Sequence, residues 1–339
     1  MTVTNQKLLK EFKNKKILIT GGTGSIGVGL AKQLIKFKPK AIRILSNDEN
    51  SIFEMKRVVG NNPIFTFMMG DVRDRDRLDL AIKNIDIVFH TAAMKHVDIC
   101  EQNPFDAVKT NVIGTSNILE ASLIEKVSKF IFISTDKATN PSSTLGASKL
   151  LAERLTLDAS AYRGDGKTIF SIVRFGNVIG SRGSVFQIFL EQIKKHQPLM
   201  VTDSRMTRFI MSISEATNLI LEVTHTAKDG EVFILKMPSV TISDLAKCMI
   251  QVCKEKFVTK GKMSSVKTSK LREGERFNEY LITDEEIPFC EDMGKMYKVT
   301  RNITKKKKVS KTGFSSGTAT KVSQNNLKKI ISELLEEYN

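Results

Sequence analysis

A short apolar run, Lys16-Ile-Leu-Ile-Thr20, leads directly into Gly21-Gly-Thr-Gly-Ser-Ile-Gly27, followed by Leu30, Leu34 and Ile35 at helical spacing. No other stretch restricts the possible fold as tightly. The glycines at 21, 24 and 27 permit a tight turn, close approach of backbone to a pyrophosphate, and packing of a helix on a strand. The helix start offers unpaired N–H groups and the positive end of the helix dipole to the phosphates. A glycine motif alone is weak. Placed between a strand and a helix near the chain start, it has the setting that defines a dinucleotide-binding unit. Gly21, Thr23, Gly24, Ser25, Ile26 and Gly27 are the contacts it predicts.

The following segments repeat the strand–helix rhythm. Strands are predicted over 41–45, 64–69, 86–90, 130–134 and 168–174, with helical segments such as 106–125 and 144–162 between them. That alternation predicts an α/β fold with a doubly wound parallel (Rossmann) sheet and ligands at the C-terminal strand ends. Asp48 lies 21 residues after Gly27, where an acid takes ribose hydroxyls; a basic residue there favours the 2′-phosphate of NADP. Arg43, Lys56 and Arg57 are the nearby bases, so NAD and NADP both stay open. Asp71 and Val72 are placed to flank an adenine. Ala92 and Ala93, at the end of the fourth strand, permit close cofactor approach, and Asn111 is placed to hold backbone groups. His96 reads more readily as a structural histidine than as a catalytic one.

From Asn177 onward the pattern loosens. The reading divides the chain into a cofactor-binding domain, 1–176, and a mainly substrate-binding region, 177–339, with a last helix over 324–337. Residues 254–270 carry six lysines and one glutamate without strong periodicity, which predicts a mobile or strand-poor insert. A short N-terminal helix with Leu8, Leu9 and Phe12 is expected to lie on the domain.

Composition bounds the function. The net charge is +16, which suits an anionic substrate, an anionic surface or nucleic acid. The basic run Arg301, Lys305, Lys306, Lys307, Lys308 and Lys311 has no aromatic interleaving of the kind that binds bases. It is read as a solvated loop, and nucleic acid is not expected as a partner. Cys100, Cys248, Cys253 and Cys290 show no metal spacing, so no metal is expected. No apolar run approaches the ~20 residues of a membrane span. A reduced, cytoplasmic chain is the simplest expectation.

The stretch with the most chemistry is Ser134-Thr135-Asp136-Lys137, followed by Leu145-Gly-Ala-Ser-Lys149. It offers an acid, a candidate base and a second lysine at a strand end. Leu145 and Lys149 are four apart and share one helix face.

Taken together, TGGTGSIG (20–27), MGDVRDRDRL (69–78), TAAMKHVDICEQNP (91–104), KTNVIGTSN (109–117), STDKATNP (134–141), RFGNVIGSRGSV (174–185), TDSRMTRF (202–209) and LREGERFNEYLI (271–282) are collinear over most of the chain. They resemble the extended short-chain dehydrogenase/reductase superfamily. Within it, the chain is similar to the inverting UDP-N-acetylglucosamine 4,6-dehydratases of surface-polysaccharide and flagellin-sugar synthesis. Large members of that group carry N-terminal membrane helices; this chain resembles the soluble form.

The resemblance implies Asp136 and Lys137 as the acid–base pair. Retaining dehydratases typically have Asp-Glu there, and 4-epimerases usually have neither pair. It implies a tightly bound NADP or NAD, regenerated each cycle, with Lys149 on the nicotinamide ribose, and a homo-oligomer. UDP-N-acetylglucosamine is the implied substrate. Lys95, His96, Asn177, Arg182, Arg208, Arg272 and Glu275 are the expected contacts, with Asn177, Arg182, Arg208 and Arg272 on the diphosphate. Lys137 is expected to act as base through a pKa lowered by burial and by Lys149. Leu145 replaces the tyrosine of Tyr-x-x-x-Lys, so the C4 hydroxyl proton is expected to leave through Thr135 or water to Lys149. Asn47 replaces a basic residue often found after the second strand. A 4-epimerase, a non-catalytic ligand sensor and a basic nucleic-acid binder are the competing readings.

Overall fold

The structure, a computed structural model, describes residues 3–256, 264–270, 273–300 and 314–337. Six strands carry the first half: β1 (Lys16–Thr20), β2 (Ala41–Ser46), β3 (Phe65–Met69), β4 (Ile87–His90), β5 (Lys129–Thr135) and β6 (Ile169–Phe175). They pair in parallel in the order β3-β2-β1-β4-β5-β6. Helices cover both faces, so β1, β4, β5 and β6 are buried along nearly their whole length, as a parallel sheet requires. The order reverses between β1 and β4, and that switch point opens a crevice at the C-terminal strand ends.

The later strands are β7 (Asn177–Val178), β8 (Leu199–Val201), β9 (Thr207–Met211), β10 (Glu231–Leu235), β11 (Ser239–Thr241), β12 (Val266–Thr268), β13 (Cys290–Asp292) and β14 (Met296–Thr300). β10 joins β6 in parallel, β14 pairs antiparallel with β10, and β13 with β14. Three strands from beyond residue 176 therefore extend the main sheet to nine. They pair the backbone groups that β6 would otherwise leave at an open edge. The rest of this part builds a second core. Phe186, Phe189 and Leu190 pack there with Leu245, Met249 and Val252, and with Leu327, Ile331 and Leu335 of the final helix, Gln324–Glu337.

Two local expectations change. The insert holds a strand, since β12 pairs with β8. It is three residues long and its partner is distant, so no local periodicity announces it; residues 257–263 lie outside the described residues. The helix read over 106–125 is three pieces: Pro104–Ala107, a π-helical turn over Val108–Ile113, and Gly114–Ile124. Such wide turns often lie at functional sites, and Asn111 sits within this one. The N-terminal helix, Val3–Phe12, seats Leu8 and Phe12 in the main core. Among the described residues, no helix is long and apolar enough to cross a membrane.

Candidate active site

The cofactor crevice is built by backbone. Gly21 has φ +61°, and a Cβ there would lie 2.6 Å from the Ala92 Cα. The turn after β1 therefore presses directly on the end of β4. Helix Ser25–Leu34 starts at Gly24 without a side-chain cap, leaving its first N–H groups facing the crevice. At the end of β2, Ser46 Oγ pairs with Thr23 Oγ1 at 2.8 Å. Asp48 caps helix Glu49–Val59, accepting from the Ser51 N–H at 3.1 Å and the Ser51 hydroxyl at 2.6 Å. These Ser51 bonds hold its carboxyl below the usual range. Asn47 donates to Asp71 at 3.1 Å, and Asp71 pairs with Arg73 at 2.8 Å. Val72 is buried behind it.

Lys149 is buried against β5. It donates to the Ile133 carbonyl at 2.7 Å and lies 4.0 Å from the Phe132 ring centroid. Burial pushes its pKa down to about 7, against the raising charge of Glu153. Asn111 steadies the neighbouring wall. Its amide accepts from Met94 N at 2.8 Å and donates to the Met94 carbonyl at 3.1 Å and the Ser148 hydroxyl at 3.0 Å. Leu145 turns into an apolar cluster with Cys100 and Ala107, packed by Met94 and Val97. Tyr162 is 79% exposed beyond the same helix, so it brings no phenol to the site.

The acid–base cluster begins where β5 ends. Ser143 caps helix Thr144–Asp158 by accepting from Gly146 N at 3.1 Å. A Cβ on Gly146 would lie 2.3 Å from the Lys137 carbonyl oxygen, so the helix is pressed against the turn that carries Asp136 and Lys137. Asp136 is fully buried. Its Oδ1 accepts from Thr135 Oγ1 at 2.9 Å and from Lys137 Nζ at 3.1 Å. Lys137 Nζ also lies 3.2 Å from Glu279 Oε1, and Arg208 Nε is 3.7 Å from the same oxygen. Glu275 lies 3.8 Å from Arg208.

These contacts decide the charges. Burial alone would lower the Lys137 pKa, but Asp136 and Glu279 together raise it. The expected lowering by Lys149 is therefore corrected: Lys137 rests as an ammonium ion. Burial raises the Asp136 carboxyl, aided by Glu279 and opposed by Lys137. Glu279 is held low because Lys137 and Arg208 outweigh its burial. Thr135 donates its hydroxyl to Asp136 Oδ1 at 2.9 Å.

Among the described residues, Ser134 Oγ, Asp136 Oδ2, Thr139 Oγ1 and Asn177 Oδ1, all just past or at the ends of β5 and β6, are buried without a hydrogen-bond partner, as is Ser184 Oγ. Gly176 has the room that Asp136 needs, since a Cβ there would meet Asp136 Oδ2 at 2.8 Å. Buried polar groups are normally satisfied, so orphans gathered at a strand end mark where a polar ligand completes the site.

The other sequence-predicted contacts divide. His96 packs against Gly183, whose added Cβ would meet the ring at 2.4 Å; burial and Lys95 lower its pKa. Lys95 donates to the Arg182 carbonyl, next to Ala93 and the crevice. Arg208 faces two carboxylates. Arg182 lies on the glycine loop, donating to the Thr23 carbonyl and, at 2.9 Å, to Ser51 Oγ. Arg272 lies outside the described residues, as does the basic run at 301–311. The sequence reading missed Glu279, whose only signal is its place at the end of Arg272-Glu-Gly-Glu-Arg276-Phe-Asn278-Glu279. It also missed Arg276, which donates to the Thr139 carbonyl at 2.9 Å and Ser142 Oγ at 2.8 Å and so clamps the loop after the turn that carries Asp136 and Lys137.

A switch-point crevice for a dinucleotide beside a buried acid–lysine–acid cluster defines a Rossmann enzyme of the nucleotide-sugar epimerase/dehydratase kind. Residues 17–301 match the family described as polysaccharide biosynthesis protein, and the chain belongs to that family. It is 49% identical over 329 residues to the uncharacterized membrane protein MJ1061 of Methanocaldococcus jannaschii, covering 97% of this chain and 98% of that one. It is 40% identical over 292 residues to a UDP-glucose 4-epimerase of Rickettsia bellii, covering 85% and 83%. The crystal structure of Pen from Bacillus thuringiensis superposes with a TM-score of 0.89 at 39% identity, covering 95% of this chain and 98% of Pen.

Proposed function

We propose that the protein is a UDP-N-acetylglucosamine 4,6-dehydratase that inverts C5, forming a UDP-2-acetamido-2,6-dideoxy-4-hexulose for surface glycan synthesis. The observation that carries this reading is the buried Asp136–Lys137–Glu279 cluster with Asp136 Oδ2 left free. An epimerase needs proton transfer only at O4. A second acid–base pair is surplus there, but elimination of water across C5 and C6 requires one.

A nicotinamide dinucleotide fits the uncapped helix start and the backbone-lined turn at Gly21, and when bound it supplies hydride acceptance at C4 and hydride return at C6. The protein's own residues handle the protons. One proton moves from Lys137 to Asp136, 3.1 Å away, giving a neutral amine beside a neutral acid with no change in net charge. Lys137 then takes the C5 proton, made acidic by the C4 ketone. Asp136 gives its proton to the departing C6 oxygen, which leaves as water. The pair returns to ammonium and carboxylate, its resting state. Glu279 favours the ammonium form of Lys137 in that state, and Arg208 with Lys137 keeps Glu279 ionised. The C4 hydroxyl proton goes through water to Lys149, whose depressed pKa leaves a share of neutral amine near neutrality. Solvent water supplies the new C5 proton on the opposite face of the sugar, which inverts that centre, and Lys149 releases the proton it took back to solvent.

Proton NMR of the reaction in D₂O tests the proposal. The expected result is loss of UDP-N-acetylglucosamine without added cofactor, deuterium at C5 and a new C6 methyl signal, all abolished in Lys137→Ala. A C4 epimer that keeps its C6 hydroxymethyl group favours the epimerase reading, which the Rickettsia relative's name supports.

A further inference from the structure

We propose that His90 is a positioning residue for Lys149: held as one neutral tautomer between β1 and the π-helical turn, it fixes the aromatic ring and the wall against which that lysine rests. This rests on the reading of Lys149 as the acceptor of the C4 hydroxyl proton, and deepens it.

His90 ends β4 at the switch point and is fully buried, as is Thr20 at the end of β1; Thr115 and Asn111 are each 1% exposed. Both ring nitrogens of His90 are bonded. Nδ1 lies 2.6 Å from Thr20 Oγ1, and Nε2 lies 3.1 Å from Thr115 Oγ1. The direction of these bonds follows from the next link. Thr115 Oγ1 is 2.7 Å from the Asn111 carbonyl oxygen. A carbonyl only accepts and a hydroxyl has one proton, so Thr115 donates to Asn111 and accepts from His90. Nε2 therefore carries the ring proton, and the bare Nδ1 accepts from Thr20. Burial, helped by the charge of Lys149, pushes the His90 pKa down to about 3, so the ring stays neutral at ordinary pH. The chain of donors runs one way, from Thr20 to His90, to Thr115, to Asn111.

Two paths lead from this ring to Lys149. The first runs through hydrogen bonds. Thr115 pins the Asn111 carbonyl within the π-helical turn, and the Asn111 amide donates to Ser148 Oγ at 3.0 Å, beside Lys149 on helix Thr144–Asp158. The second runs through rings. His90 stacks on Phe132 with centroids 5.7 Å apart and planes 27° apart, and Lys149 Nζ lies 4.0 Å from the centroid of the same Phe132 ring. Phe130 packs on His90 at 5.9 Å. An ammonium ion over a ring face is attracted by it, and a neutral His90 holds that ring without adding a second positive charge beside Lys149. Glu153 from its own helix and His90 from β4 are the titratable groups that act with Lys149.

Three measurements on the full-length protein test this. In the wild type, labelled with nitrogen-15 histidine, NMR should show His90 with a bare Nδ1 and a protonated Nε2; the opposite tautomer or an imidazolium overturns the assignment. Two variants then divide the ring. His90→Gln sets an amide near Nε2 and keeps a donor to Thr115, whereas His90→Asn sets one near Nδ1 and keeps only the contact with Thr20. Carbon-13 lysine labelling, with the resonance assigned by its loss in Lys149→Arg, follows Lys149. Its titration midpoint should stay at about 7 in His90→Gln and rise in His90→Asn, as water relieves the burial that depresses it. Turnover of UDP-N-acetylglucosamine should fall less than about tenfold in His90→Gln and about 100-fold in His90→Asn, the scale of a misplacement of about 1 Å. The two variants should nonetheless lose similar stability in urea. Equal midpoint shifts in both variants, a shift in neither, or an equal loss of turnover in both makes His90 structural only and overturns the proposal. If His90→Asn does not fold, a raised midpoint in His90→Gln overturns it by itself. A wild type that leaves UDP-N-acetylglucosamine unchanged sinks the dehydratase reading, while the two NMR measurements still decide the role of His90.

Discussion

Two buried ion clusters flank the same helix, Thr144–Asp158, and they differ in completeness. Arg174, 2% exposed, meets Glu153 through Nε at 3.1 Å and Nη2 at 2.6 Å. It meets Glu286 at 2.8 and 2.9 Å and the Leu281 carbonyl at 2.9 Å. All five guanidinium donors are used. The Asp136–Lys137–Glu279 cluster is as deeply set, but Asp136 keeps one oxygen without a partner. Arg174 holds the Glu286 carboxyl below its ordinary range, whereas burial pushes Asp136 toward its neutral form. A closed cluster holds β6 to the segment around 281–286. An open one keeps a proton in play. On the proposed mechanism, satisfaction rather than burial or charge separates architecture from chemistry.

Breaking the closed cluster should have the largest effect on folding. Arg174→Met strands two buried carboxylates and should cost about 3–5 kcal/mol in urea denaturation; a loss below about 1 kcal/mol would show the cluster to be dispensable. Asp136→Asn should do the reverse. Turnover should fall by about 10²–10⁴ while the denaturation midpoint holds or rises, because a neutral isostere replaces a carboxyl that burial disfavours. If the midpoint drops as far as in Arg174→Met, the two clusters are alike and the contrast fails.

Glu153 sharpens the comparison because it touches both systems. It binds Arg174 and raises the Lys149 pKa. Lys149 accepts a proton only as the neutral amine, so turnover should fall as pH drops through about 7. Glu153→Gln removes the raising charge, so this limb of the pH–rate profile should move to lower pH, alongside a moderate loss of stability. An unmoved limb assigns it to another group. The smallest effect is expected at Leu145. Leu145→Tyr overfills the pocket formed with Cys100 and Ala107 and should cost about 1–3 kcal/mol. Turnover should stay within about tenfold, well short of the ~10²–10⁴ that proton transfer commands. A hundredfold gain would mean that the O4 proton route lacks the phenol and suffers for it.

Much of the fold was legible in local pattern. The glycine loop marked the switch-point crevice, and the strand–helix alternation matched β1 to β6 to within a residue or two. Asp136 and Lys137 were legible as residues at a strand end, and Asn111 as a holder of backbone. β12 escaped because a three-residue strand takes its identity from a distant partner. The return of β10, β13 and β14 to the main sheet escaped for the same reason, since pairing across long separations leaves no period in the chain.

The sequence by itself determined that a dinucleotide-binding turn lies near the start of the chain and that an acid–lysine pair follows the fifth strand. Both are short-range facts, set by glycine geometry and by neighbours in the chain. Only the tertiary structure decided the charges. It brought Glu279 to Lys137 and so made the expected base an ammonium ion. It buried Lys149 with one acid nearby and set Arg182 against Ser51, 131 positions away. The pKa of a buried group depends on how far it is from water and from other charges. Those distances do not exist until the chain has folded.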